Sequence, residues 1–139
     1  MWSLVFLYFL PLRTYAQKDT VGLVFKLDSI LRNPSAFPFD HTKNDVIRMS
    51  HVFLKGKNYK RYYDCISALF KLGKTHLKYF NVSKDVFKLV YGIPVNEKYY
   101  AGKGHFVSGY VSERTGNIYL ALTEYQTSMK YFQQIKDTV

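Results

Sequence analysis

A single cysteine, Cys65, stands in a chain of 139 residues, and one thiol cannot form an internal disulfide. The fold must therefore hold through its core. No run reaches the roughly 18 apolar residues of a membrane-spanning helix, so no transmembrane segment is expected in the mature chain. Acidic residues are scarce, 10 against 20 lysines and arginines, and the net charge of +10 attracts polyanions. Arginine-rich helices and RNA-binding aromatic motifs are missing, which removes the ground for specific nucleic-acid recognition. The histidines, His41, His51, His76 and His105, make no i,i+4 ligand pair, so no metal is expected. "AGKGHF" lacks the spacing of a Walker loop and reads as a turn. No cofactor is expected either.

What is present is apolar and aromatic. Hydrophobic residues make up 47% and aromatics 18%, chiefly Tyr and Phe, which argues for a packed globule rather than disorder. The length suits one domain with one core. The opening "MWSLVFLYFLPLRTYAQ" carries an apolar stretch from Trp2 to Leu12 and a small-x-small site at Thr14-Tyr15-Ala16. It predicts a signal peptide over 1–16 and a single domain over 17–139, exported to the periplasm or secreted. A basic residue before the apolar stretch is missing, since Arg13 follows it.

Periodicity predicts helices first and strands later. Val24, Leu27 and Leu31 mark a helix over 19–33, stopped by Asn33-Pro34. Val46, Met49 and Phe53 mark another near 43–55, followed by the turn "KGKN". Tyr62, Ile66, Leu69, Phe70, Gly73, Leu77 and Phe80 fall on one arc of a helix over 59–80, with Lys60, Asp64, Lys71, Lys74 and Lys78 opposite. Ser83 reads as the cap of a short helix "KDVFKLVY". In "HFVSGYVSERTGNIYLALTEY" the period changes to two, and "ERTGN" reads as a hairpin turn. The expected fold class is α+β: amphipathic helices with an αα-hairpin near 43–80, a β-hairpin over 105–125, and a terminal helix near 127–136. A third strand is expected in "VNEKYYAG" (95–102).

Two resemblances attach to these stretches. "HVFLKGKNYKRYYDCISALFKLG" resembles one helix-turn-helix unit of the tetratricopeptide kind over about 25 residues. A second copy is not visible, so an ordinary αα-hairpin is the preferred reading. The order Cys65, "GIP" at 92–94, His105 and Glu124 resembles the transglutaminase-like superfamily, and "DCISALF" is similar to the nucleophile segment of NlpC/P60 cell-wall peptidases. These resemblances imply a thiol-dependent amidase or acyl transferase on a papain-like fold, with Cys65, His105 and Glu124 as the catalytic set.

Helix geometry opposes that enzyme. In a helix starting near Tyr59, Cys65 lies almost two turns inside, where the dipole does little to favour thiolate. It also sits beside Leu69 and Leu72 on the wheel, and free cysteines are among the most buried residues. A core role is favoured. The preferred function is a non-enzymatic binding domain for an acidic protein or anionic glycan. Tyrosines interleaved with lysines suit such a surface, and "NEKYYAGKGH" is the candidate face, with Lys98, Tyr99, Tyr100, Lys103 and His105 as binding residues.

Overall fold

A computed structural model describes residues 20–137, and every regular element among them is helical. The leader expected at 1–16 lies outside the described residues. Helix α1 covers 20–32 and ends at Asn33, ahead of a short 3-10 turn, Pro34–Ala36. The others are α2 (Phe39–Lys55), α3 (Tyr59–Thr75), α4 (Tyr79–Tyr91), α5 (Lys98–Arg114) and α6 (Ile118–Asp137). From α2 onward the helices begin at Phe39, Tyr59, Tyr79, Lys98 and Ile118, a step of 20 residues three times and 19 once.

Three of the four turns after α2 share one geometry. After α2, α3 and α5 the chain reverses through three residues: Gly56-Lys57-Asn58, His76-Leu77-Lys78 and Thr115-Gly116-Asn117. The middle residue is left-handed each time, at φ 56° for Lys57, 56° for Leu77 and 84° for Gly116. The third residue's amide then bonds back across the helix end: Asn58 N–H to Phe53 O, Lys78 N–H to Gly73 O and Asn117 N–H to Ser112 O. This Schellman closure satisfies carbonyls that a helix end otherwise strands. Asn58 and Asn117 also cap the following helix, their side-chain oxygens accepting from Arg61 N–H and Leu120 N–H.

The repeat corrects the α+β expectation. Residues 105–125 are not a β-hairpin; they are most of α5, a three-residue turn and the start of α6. Buried residues on α5 run Ala101, Gly102, Gly104, His105, Ser108, Gly109, Val111 and Ser112, a helical spacing rather than an alternation. The alternation of Phe106, Ser108 and Tyr110 with Val107, Gly109 and Val111 lacks a polar face and a consistently apolar one. A glycine followed by asparagine serves a helix C-terminus and N-cap as readily as a strand reversal. The third strand expected at 95–102 is a turn leading into α5, and "AGKGHF" lies inside that helix. The helix expected over 59–80 breaks at His76–Lys78, and Ser83 sits within α4, donating to Phe80 O at 3.1 Å.

The helices stack as antiparallel hairpins. α3 packs against α2, α4 and α5, and α5 lies along α6 over most of its length. α1 is tied on by Lys26–Asp45 at 2.7 Å, Arg61–Asp28 at 2.7 Å and Lys71 Nζ to Leu31 O at 3.1 Å. Asp45 also pairs with Arg48. These cations, Lys26 foremost, hold its carboxyl below the usual range against the opposing effect of burial.

The core runs from α1 to α5, with Leu27, Ile30, Val46, Phe53, Ile66, Leu69, Leu72, Val82, Val86 and Val90 all buried. Equivalent positions are filled in successive helices: Val46, Ile66 and Val86 stand 20 residues apart, as do Met49, Leu69 and Leu89. Truncating a large aliphatic side chain here to Ala costs about 2–5 kcal/mol. Tyr62 buries its ring and donates to Leu89 O at 2.6 Å, and burial pushes its phenol up to about 12. From α5 the same positions turn small and polar, with His105 and Ser108 on α5 and Ser128 on α6. Among the described residues, no helix is long and apolar enough to cross a membrane.

Candidate binding face and buried polar cluster

Two groups of side chains combine chemistry with position. The first lies where α5 begins beside α3. The stacking sets Tyr63 of α3 against Tyr100 of α5, ring centroids 6.2 Å apart, and Tyr99 packs edge-on to Tyr100 at 5.2 Å. One helical turn on, Lys103 places its ammonium 4.4 Å from the Tyr63 ring and 5.0 Å from the Tyr99 ring. A cation held between two aromatic faces is restrained before any ligand arrives. Burial, with Asp64 and Tyr99 close by, raises the Tyr63 phenol pKa, so its hydroxyl stays protonated and able to donate. Lys98 opens the same helix, and Tyr99 is 54% exposed.

The aromatic seam continues along the two helices. Phe70 meets Tyr110 edge-on at 5.4 Å, Tyr79 joins both, and Arg114 lies over Tyr110, 4.9 Å from its centroid. α3 and α5 therefore present a band of rings carrying a cation at each end.

The second group is interior. Glu124 of α6 is fully buried; one carboxyl oxygen accepts from Tyr91 Oη at 2.8 Å, and the other is hydrogen-bonded with His105 Nδ1 at 2.5 Å. Tyr131 stacks on the His105 ring at 5.6 Å, and Tyr91 meets it edge-on at 5.0 Å. Three helices thus supply one satisfied polar cluster. Ser128 Oγ donates to Gly102 O at 2.6 Å nearby, whereas Ser108 Oγ is buried without a protein partner.

The candidate residues therefore divide. Lys98, Tyr99, Tyr100 and Lys103 share the start of α5, while His105 turns inward to Glu124. Of the cysteine-enzyme set, His105 and Glu124 meet. Cys65 makes no hydrogen bond to either. It is fully buried in α3, where burial, helped by Asp64, pushes its pKa up and keeps it a thiol. The partners that sequence reasoning left unassembled are Tyr63, Tyr91 and Tyr131. Tyr63 had one available signal, since "KGKN", "THLK" and "RTGN" stand at the ends of equivalent helices and place α3 in register with α5.

Clefts open on the surface. One of about 520 Å³ lies between α4 and the α5–α6 turn, with Phe80, Lys84, Phe87 and Leu120 on its walls. Another of about 480 Å³ is lined by Val95, Thr127, Lys130, Tyr131 and Gln134. Among the described residues, no group of three or more His, Cys, Asp or Glu side chains is arranged to hold a metal ion.

No family model, curated protein or solved structure matches the chain.

Proposed function

We propose that this chain is an exported, non-enzymatic binding domain that captures an acidic segment of a partner protein on the α3–α5 face. The observation that carries the reading is Lys103 held over Tyr63 and Tyr99. Fixing a lysine in advance reduces the rotamer entropy lost on binding. Tyrosine hydroxyls beside it offer donors to carboxylates, and their rings supply contact area at low entropic cost. The excess of basic residues would steer an acidic partner to this surface. Export is supported by the sequence pattern before Gln17, and the mass of the natively secreted chain tests it.

Binding is tested by titrating a fluorescent Glu/Asp-rich peptide, with heparin in parallel. The peptide is expected to bind with an affinity that falls steeply with salt. Lys103→Ala should weaken it about 5- to 10-fold, corresponding to about 1–1.4 kcal/mol, and Tyr63→Ala should weaken it as well. A flat salt response, or heparin binding without peptide binding, would reject the acidic-protein reading. The geometry around Cys65 offers the thiol enzyme no support, and no reaction is assigned to that residue.

A further inference from the structure

Two steps of the helical repeat carry the start of α2 onto the start of α4, and the α3–α4 turn onto the α5–α6 turn. Each pair faces across a groove, and the two grooves are filled differently. In the first, Phe39 opens α2 with its ring buried, edge-on to His76 at 5.7 Å. Lys78 of the same turn sets its ammonium 4.9 Å from that ring. Lys43 reaches across to Asn81 O at 3.4 Å and to Asp85 at 3.5 Å. A benzene ring flanked by two cations thus occupies this groove from within the chain.

The second groove lacks each of these parts. Tyr79, the counterpart of Phe39, packs instead on Phe70 and Tyr110 in the aromatic seam, at 6.2 and 6.4 Å. Thr115 and Asn117 stand where His76 and Lys78 do, and Ser83 where Lys43 does. What remains is the cleft of about 520 Å³, a size suited to a small ligand. Phe80, Phe87 and Leu120 give it apolar walls, and Phe80 is 78% exposed. Among the described residues, Lys84 is the one charged side chain lining it. The hydroxyls of Ser83, Ser112 and Thr115 already donate to helix carbonyls, Phe80 O, Ser108 O and Val111 O. The positive charge of Lys84 therefore selects the ionised group of a ligand.

We propose that this cleft binds a free one-ring aromatic carboxylate. Its ring takes the place that Phe39 fills in the first groove, covering apolar surface of Phe80, Phe87 and Leu120. Its acid meets Lys84, and that charge-assisted bond fixes its orientation. The site uses none of the residues of the Lys103 face, so it stands independently of the acidic-partner reading.

Amide chemical-shift mapping of the full chain titrated with 3-phenylpropionate tests it, with 3-cyclohexylpropionate and 3-phenylpropylamine in parallel. The aromatic acid is expected to shift residues 80–87 and 112–120 and to saturate with a dissociation constant of about 1 mM or lower. The saturated-ring acid should bind about 3-fold more weakly or worse, for want of ring–ring contacts, and the amine should not bind. Lys84→Ala should weaken the aromatic acid about 5-fold and Phe80→Ala about 3-fold; both side chains are exposed, so the helix survives their loss. Lys84→Glu should turn the preference toward the amine. Lys88→Ala, one turn along α4 and outside the cleft, should change nothing. Absence of saturation, shifts confined to 98–103, equal binding of the amine, or indifference to Lys84→Ala would overturn the proposal. An acidic peptide ending in Phe that perturbs 80–87 when the free acid does not would overturn it too, marking a protein-docking groove instead.

Discussion

Leu77 carries the clearest local conflict between residue and backbone. It occupies the left-handed middle of the α3–α4 turn at φ 56° and is 86% exposed, so it contributes little burial in return. A left-handed L-residue costs about 1–2 kcal/mol, and the equivalent turn after α5 uses Gly116 without that cost. Leu77→Gly should therefore raise stability by up to about 1 kcal/mol, after allowing for glycine's greater freedom in the unfolded chain. A thermal melt checks this, and a lower midpoint would contradict it. At this scale the sequence was partly legible. The wheel sets Cys65 beside Leu69 and Leu72, and the structure buries all three. The His105–Glu124 contact was not legible as a buried bond, because a 19-residue separation looks the same for a hairpin of strands or of helices.

Helix α5 was misread as a strand, and its glycines explain why. Gly102, Gly104 and Gly109 weaken local helix preference, each by about 1 kcal/mol relative to Ala. Their presence answers a tertiary demand. A Cβ at Gly109 would stand 2.7 Å from Cδ1 of Tyr125, and one at Gly102 would lie 3.0 Å from the Phe132 ring. Close approach of α6 is what these positions provide. Gly109→Ala is accordingly expected to destabilise by about 1–3 kcal/mol through overpacking, despite the better helix former. Gly22→Ala in α1, where nothing lies within 4 Å of the added atom, should instead stabilise by up to about 1 kcal/mol. Denaturant melts of the pair check the contrast, and two shifts of the same sign would refute the close-packing argument. The earlier helices were easier to read because large aliphatic side chains mark their buried faces at three- and four-residue steps. Even so, the long helix read over 59–80 concealed the turn at His76–Lys78, where Leu77 and Phe80 happened to continue the apolar arc.

The whole molecule is a stack in which each hairpin depends chiefly on its neighbours, so stability need not be uniform along it. The end made of α5 and α6 is joined through small residues and the Glu124 cluster, whereas α2 to α4 share the aliphatic core. Glu124→Ala strips the buried His105, and the hydroxyl of the more exposed Tyr91, of their hydrogen-bond partner. It is expected to cost about 1–3 kcal/mol, the range for leaving a buried polar group without its hydrogen-bond partner. Hydrogen exchange should then quicken across 98–137 while α2 and α3 stay protected; uniform acceleration would contradict the view of the end hairpin as the weaker unit. By itself the sequence determined the basic charge, the reliance on a core without disulfides, and the amphipathic helices before residue 76. These follow from composition and local period, which need no knowledge of what lies opposite. Only the tertiary structure decided that 98–137 is helical, that Lys103 meets Tyr63, and that His105 faces Glu124. Each depends on another helix supplying the burial, close approach or hydrogen bond that the local chain leaves undetermined.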